Sequence, residues 1–489
     1  MKISNDLLKV GAPDNVKVPS YNRATLETGI VHIGVGGFHR SHQALYIDKL
    51  CEEQSATDWA ICGVGIMPQD EQLSAALHSQ DCLYSLTERS GKEDTCRVVG
   101  SITDHILGLK EPKKVFEKIA SASTKIVSLT VTEGGYYIDE STGEVDLEHS
   151  RVANDLSNPE SPQTVYGFVL AGLALRAKNA AGPITILCCD NIQHNGEVVK
   201  KAMLRVANAI NPEIAEWIGS NVSFPNSMVD RITPVPTETE RALVRDTFGL
   251  DDSCPVVSEA FTQWVIEDKF AAGRPELEKV GAQFVSDVVP FERMKIRLLN
   301  ATHSAMGYLG YLLGYRYIHE VALAEEYRGY LNNFMDVEMT PLVGEVPGVD
   351  LDWYKQSLIE RFSNPDICDT VLRICSGGSA KIPGFVLPAI QDALKTDGPI
   401  RAMTCVVASW LRFCLAEDEN GEPILMEDAL AERITAIAKT AKADPKPYLE
   451  MRDLFGDLGD NERFVNELGL LLSSLYEDGA KATLELCSK

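Results

Sequence analysis

Between Phe291 and His303 the chain reads Phe-Glu-Arg-Met-Lys-Ile-Arg-Leu-Leu-Asn-Ala-Thr-His, the run with the most chemistry in it. A lysine whose ammonium is disfavoured by burial or by its neighbours can accept a proton. An asparagine amide can polarise an oxygen without carrying charge, and a histidine can orient an adjacent hydroxyl. Taking hydride from an alcohol needs these parts: a base for the hydroxyl proton, and donors for the oxygen that becomes partly negative. The run predicts a helix. With Lys295 set at zero, a rotation of about 100° per residue puts His303 at about 80°, Asn300 at about 140° and Glu292 at about 60°. The four share roughly one side, with Met294, Leu298 and Ala305 opposite, although Ile296, Leu299 and Met306 lie among the polar residues. The same four also read as a solvated Lys and Glu, an internally bonded Asn and a core His. The angles alone do not choose.

A second group lies near the N-terminus. Gly34-Val35-Gly36-Gly37-Phe38-His39 follows an apolar run and opens a helical pattern. Glycines at such a turn let the backbone approach a pyrophosphate, held by the free N–H groups and positive dipole end of the helix. His39 stands where a third glycine is usual. Gly34, Gly36, Gly37 and Phe38 are therefore candidate cofactor residues. After the second apolar run comes Met67-Pro68-Gln69-Asp70-Glu71. An acid there can accept from the adenosine ribose hydroxyls and repels a 2′-phosphate. No Lys or Arg lies between Lys49 and Arg89, so the sequence predicts no nearby cation for that phosphate, and NAD over NADP. Asp70 fits a loop acid or an N-cap equally well. Asn191 and Glu133 each follow an apolar run at its carboxyl end, where open α/β sheets place ligands; in isolation both also read as turn or capping groups.

The elements that must position these residues divide the chain. Gly29–Val35, Trp59–Ile66, Lys125–Thr132 and Pro183–Cys189 are near-continuous apolar runs of strand length, suited to parallel strands covered on both faces. Helical patterns such as His39–Glu52 and Thr164–Lys178 lie between them, which predicts an α/β, Rossmann-type doubly wound sheet. From about Pro290 the patterns turn helical, over Glu292–Gly314, Asp352–Arg361, Ile382–Lys395, Arg401–Leu415 and Asn461–Tyr476. The expected organisation is a dinucleotide-binding domain over 1–288 and a mostly α-helical substrate and catalytic domain over 289–489.

The 489 residues carry a net charge of −25, which disfavours nucleic acid and anionic membranes as partners. Met1–Asn15 holds no apolar run of signal-peptide length, and no apolar stretch approaches a membrane span. The twelve cysteines form no C-x-x-C pair. They read as reduced thiols of a cytoplasmic protein, with no metal site expected. The Tyr-x-x-x-Lys pair of short-chain dehydrogenases, the G-x-S-x-G elbow and the Walker loop are absent too.

Four stretches together resemble the long-chain mannitol dehydrogenase family, and the resemblance runs from about Ile30 to the C-terminus. IVHIGVGGFHRSHQA (Ile30–Ala44) is similar to its cofactor signature, in which the third glycine is also missing. Cys189-Asp190-Asn191 with Asn195-Gly196 is similar to its second motif, Phe224-Pro-Asn-Ser-Met-Val-Asp230-Arg231-Ile232-Thr-Pro234 to its most diagnostic one, and Lys295–His303 to its catalytic helix. The resemblance implies Lys295 as general base and Asn191 with Asn300 as the oxyanion site. It implies His303, Asp230, Arg373 and Lys381 around the substrate hydroxyls, Glu292 close to the lysine and Glu133 near the cofactor. Two positions depart from the family pattern: Gly377 stands for an Asp, and Ala301 for a Gly. Family members interconvert D-mannitol and D-fructose, reduce fructuronate or tagaturonate, or act on arabinitol or sorbitol. Asp336–Asn364 looks most like the members that take mannitol, which makes mannitol the first choice and a hexuronate the second. A non-catalytic NAD-binding sensor on the same fold would not need Lys295, Asn300 and His303 together.

Overall fold

The apolar runs form the spine of the N-terminal unit. In a computed structural model that describes residues 1–139 and 142–489, six parallel strands make one sheet: β1 (Thr28–Ile33), β2 (Ala60–Gly65), β3 (Ile102–Leu107), β4 (Ile126–Leu129), β5 (Ile184–Cys188) and β6 (Val222–Ser223). Their order across the sheet is β6-β5-β4-β1-β2-β3. That is the 3-2-1-4-5-6 arrangement of the Rossmann fold, with its switch point between β1 and β4. Ile33, Leu129 and Cys188 lie side by side at the carboxyl ends of the three central strands.

The period of two along each strand feeds two cores. Val31 and Ile33 face one core with Val127, Leu129 and Ile186, covered by the helices Pro112–Ala120, Val165–Lys178 and Asn195–Ile210. Ile30, Ile61, Ile126 and Leu187 face the other, where the helix Gln43–Gln54 packs with Tyr84, Val256 and Trp264. Those last residues belong to sheets that the apolar runs do not announce. One is four-stranded, in the order Val16–Lys17, Asp94–Val99, Tyr84–Arg89, Val256–Glu259; the other is three-stranded, Ser227–Asp230, Gln263–Glu267, Gln283–Val285. The helix expected over His39–Glu52 is two helices, Gly37–Ser41 and Gln43–Gln54, broken at His42 where φ is −115° and ψ −88°.

The chain divides into compact units Met1–Val288 and Val289–Lys489. Among its described residues the second unit has helices and isolated bridges but no strand. Its centre is the helix Arg401–Phe413, in which every residue from Ala402 onward is buried, the polar Thr404, Ser409 and Arg412 included. The helices Ala301–Leu312 and Glu462–Glu477 pack against it. Two elements depart from the expected helices. Ile382–Lys395 is split at Val386 into Gly378–Phe385 and Leu387–Lys395, because Pro383 and Pro388 lack the N–H groups that a single helix needs. The helix expected over Glu292–Gly314 contains a π segment, Lys295–Asn300, between α-helical Val289–Met294 and Ala301–Leu312. Among the described residues no helix is long and apolar enough to cross a membrane.

Candidate active site

In the first unit the glycine turn sits at the end of β1, beside the switch point. Gly34 has φ +98°, and a Cβ there would lie 2.1 Å from the Thr130 carbonyl oxygen, so only glycine fits. Its own carbonyl accepts from Thr130 Oγ1 at 2.8 Å, which ties the turn to the end of β4. Around Gly36 the space is open, the nearest atom to a Cβ being 3.8 Å away, while at Gly37 Thr233 Cγ2 would lie at 3.6 Å. This bare backbone at the first strand-to-helix turn fits a dinucleotide pyrophosphate. Phe38 stacks on His42 with ring centroids 5.0 Å apart. His39, in place of the third glycine, is a packing residue: fully buried, it stacks on His32 at 3.3 Å. Burial holds its imidazole well below the ordinary histidine pKa, and holds His32 at about 3.

Asp70 begins the helix Asp70–Ser79 just past β2, and its Oδ2 accepts from Met67 N–H at 2.8 Å. Gly65 makes room for it, since a Cβ there would lie 2.6 Å from Asp70 Cβ. The expectation of no nearby cation is corrected by residues distant in sequence. Lys110 pairs with Glu71, and Arg151 Nη1 reaches Met67 Sδ at 3.0 Å and Tyr137 Oη at 3.4 Å. Folding delivers both to a loop whose own sequence has no base.

Glu133 opens a short 3-10 turn after β4 and is exposed, as is Asn191 just past β5. Asp230 ends the strand Ser227–Asp230 and is 4% exposed. The neighbours of these candidates are structural, and the sequence did not single out their work. Asn195 Nδ2 donates to the Asp190 carbonyl at 3.1 Å and to the Ser227 carbonyl at 2.8 Å, joining the end of β5 to the strand that carries Asp230. Arg231 is buried and donates to the carbonyls of Ser41 and Glu259 and to the Glu88 carboxylate. A spacing motif does not reveal partners that far away in sequence.

In the second unit, Lys295 is 8% and Glu292 6% exposed. The expected angle between Lys295 and Asn300 assumed an α-helix. In the π segment the bonds run from residue i to i+5, as in Ala301 N–H to the Ile296 carbonyl. A π turn holds more residues than an α turn, so each residue rotates less and Asn300 lies nearer the face of Lys295 than the about 140° an α-helix would give. Asn300 Oδ1 is buried and has no partner among the described residues. His303 lies in the following α-helix with its ring 4.5 Å from that of Phe362. Arg373 is less free than the resemblance implied: Nε and Nη2 each donate to Asp369 at 2.6 Å, a bidentate pair. Lys381 Nζ donates to the Ile374 carbonyl at 3.0 Å. Gly377 has φ +64°, a conformation that favours glycine over the Asp usual there. Among the described residues no three His, Cys, Asp or Glu side chains group as metal ligands.

A parallel sheet in this order, with a glycine turn at the switch point and an acid after the second strand, defines a dinucleotide-binding domain of Rossmann type. The model of the mannitol dehydrogenase Rossmann domain matches residues 28–279, and that of the mannitol dehydrogenase C-terminal domain matches residues 287–476. The chain is 46% identical over 474 residues to a mannitol 2-dehydrogenase of Phaeosphaeria nodorum, covering 96% of this chain and 83% of the relative. It is 45% identical over 476 residues to that of Neosartorya fischeri, covering 96% and 95%. The solved structure of Pseudomonas fluorescens mannitol 2-dehydrogenase, a ternary complex with NAD and D-mannitol, superposes with TM-score 0.92 at 41% identity over 99% of both chains. A D-sorbitol dehydrogenase in substrate-free form superposes with TM-score 0.89 at 37% identity over 99% of this chain and all of the other. The chain belongs to the mannitol dehydrogenase family.

Proposed function

We propose that this protein is an NAD-dependent polyol dehydrogenase that interconverts D-mannitol and D-fructose, with Lys295 as general base. The observation that carries the reading is the π turn that spans Lys295 to Asn300, with Lys295 buried and Asn300 Oδ1 buried and without a partner among the described residues, in a chain whose relative binds NAD and D-mannitol at 41% identity. A π turn within an α-helix is rare and is found mostly at functional sites. NAD supplies the hydride acceptor. Lys295 Nζ takes the proton of the hydroxyl being oxidised. The amides of Asn300 and Asn191 donate to the oxygen as negative charge gathers on it, without charge of their own to repel a proton from the lysine. His303, Asp230 and Lys381 hold the remaining hydroxyls, and Glu292 serves as the acid beside Lys295. On the cofactor, the turn Gly34 to Phe38 holds the pyrophosphate, Asp70 Oδ1 the adenosine ribose, and Glu133 lies near the nicotinamide end. Pairing with Asp369 makes Arg373 a weaker partner for a hexuronate carboxylate. The test is NADH absorbance with a panel of polyols, ketoses and hexuronates. The highest kcat/KM is expected for mannitol and fructose; turnover confined to hexuronates would overturn the substrate assignment.

A further inference from the structure

Asp190 lies between two of the proposed site residues, past β5 and one residue before Asn191, and takes no part in the chemistry assigned above. Its side chain is buried, yet no cation pairs with it among the described residues; its partners are donors of the segment that follows β4. Thr132 N–H donates to Oδ1 at 2.8 Å, Val131 N–H to Oδ2 at 3.1 Å, and Tyr136 O–H to Oδ2 at 2.6 Å. Those donors bracket Glu133. The segment also holds a strained residue: Thr132 has φ +65° and ψ 164°, a region that essentially only glycine adopts. A β-branched residue stays there only when its surroundings over-determine it. Bonds to Val131 and Thr132 on one side, and the return bond from Tyr136 on the other, supply that constraint.

We propose that Asp190 is a positioning residue, whose carboxylate pins the strained turn at Thr132 and so sets the place of Glu133 and Asn191 at the mouth of the cofactor crevice. The inference rests on the site roles proposed above. The ionised form suits the three donors as they stand; on protonation one oxygen becomes a donor, so the Tyr136 hydroxyl must turn to accept or an N–H loses its acceptor. Burial raises the Asp190 pKa to about 6, against the lowering effect of its three hydrogen bonds, and Glu133 raises it further; Tyr136, Cys188 and Cys189 are the other titratable groups packed on it. As pH falls through that value, the charge that strengthens the three hydrogen bonds is lost and the turn loosens.

Asp190→Asn keeps the shape and loses one acceptor. Because a misplacement of site residues acts on the transition state, kcat and kcat/KM should fall together, approaching about 10²-fold, and the acid limb of the wild-type pH profile at about 6 should vanish. Tyr136→Phe removes one donor and should give a smaller loss in the same direction; it decides the matter if Asp190→Asn does not fold. Wild-type kcat/KM with the acid limb intact, in folded Asp190→Asn or in Tyr136→Phe, would overturn the inference. Asn191→Ala, measured in parallel, separates the two claims. Full turnover in that variant overturns the site assignment itself; its loss, with Asp190→Asn unaffected, overturns only the role of Asp190.

Discussion

At Asp70 one carboxylate oxygen serves the protein, accepting from Met67 N–H, and the proposed ribose contact falls to the other. The lone acid was legible because a residue type and a position after the second strand suffice to suggest its role. Lys110 and Arg151 were not, since they reach the same loop from segments about 40 and 80 residues further along the chain. Their presence sharpens the prediction for this site. With Asp70 removed, the repulsion of a 2′-phosphate goes and two cations stay close by, so the ratio of kcat/KM for NAD over NADP should fall at least about tenfold in Asp70→Ala. A wild type that prefers NADP, or a variant with unchanged preference, would contradict this role. Lys295, Asn300 and His303 stood out for the same reason as Asp70: the chemistry proposed for them belongs to their own side chains. Asp190 and Arg231 work through hydrogen bonds to residues about 60 and 190 positions away, and no local pattern encodes that.

Among the elements, the continuous apolar runs announced β1, β2, β4 and β5, and the Rossmann sheet followed from their alternation with helices. The side sheets did not show, because strands such as Tyr84–Arg89 mix polar and apolar residues and pair with Val256–Glu259 far along the chain. The π segment escaped for another reason: a period of 3.6 fits Glu292–Gly314 well enough to hide one inserted residue. Two predictions belong here. Gly34→Ala would drive a methyl into the Thr130 carbonyl at 2.1 Å and force a non-glycine residue to φ +98°. NADH affinity, followed by fluorescence titration, should collapse, and wild-type binding would contradict the account of the turn. The second concerns Glu338, in the other π segment, Asn333–Met339. Its buried carboxylate accepts from Ala402 and Met403 N–H at 2.8 Å each, capping the central helix. Burial raises its pKa to about 7, above that of an unfolded glutamate. A raised folded-state pKa gives stability that is complete below the unfolded value, about 4.3, and is lost as pH rises through about 7. Glu338→Gln should therefore gain stability relative to wild type between pH 5 and 8, measured as the difference in urea unfolding free energy. A pH-independent difference would rule out this titration.

For the molecule as a whole, the −25 net charge repels anionic ligands, which leaves dinucleotide binding to the local backbone at the glycine turn. Catalysis assigned to a lysine needs no metal, so prolonged chelation and desalting should leave turnover intact; a loss that zinc restores would contradict the lysine mechanism. The central claim is that Lys295 moves the proton, and its most direct test is mannitol-dependent NADH formation across pH in wild type and Lys295→Ala. Oxidation starts from the neutral amine, so wild-type kcat/KM should rise with pH through the lysine pKa in the enzyme–NAD complex, while fructose reduction, which needs the ammonium, should fall with pH. Lys295→Ala should lose at least about 10²-fold in turnover, keep its NADH affinity, and recover part of the rate when a small primary amine is added. Near wild-type turnover with an unchanged pH profile in Lys295→Ala would show that another group is the base.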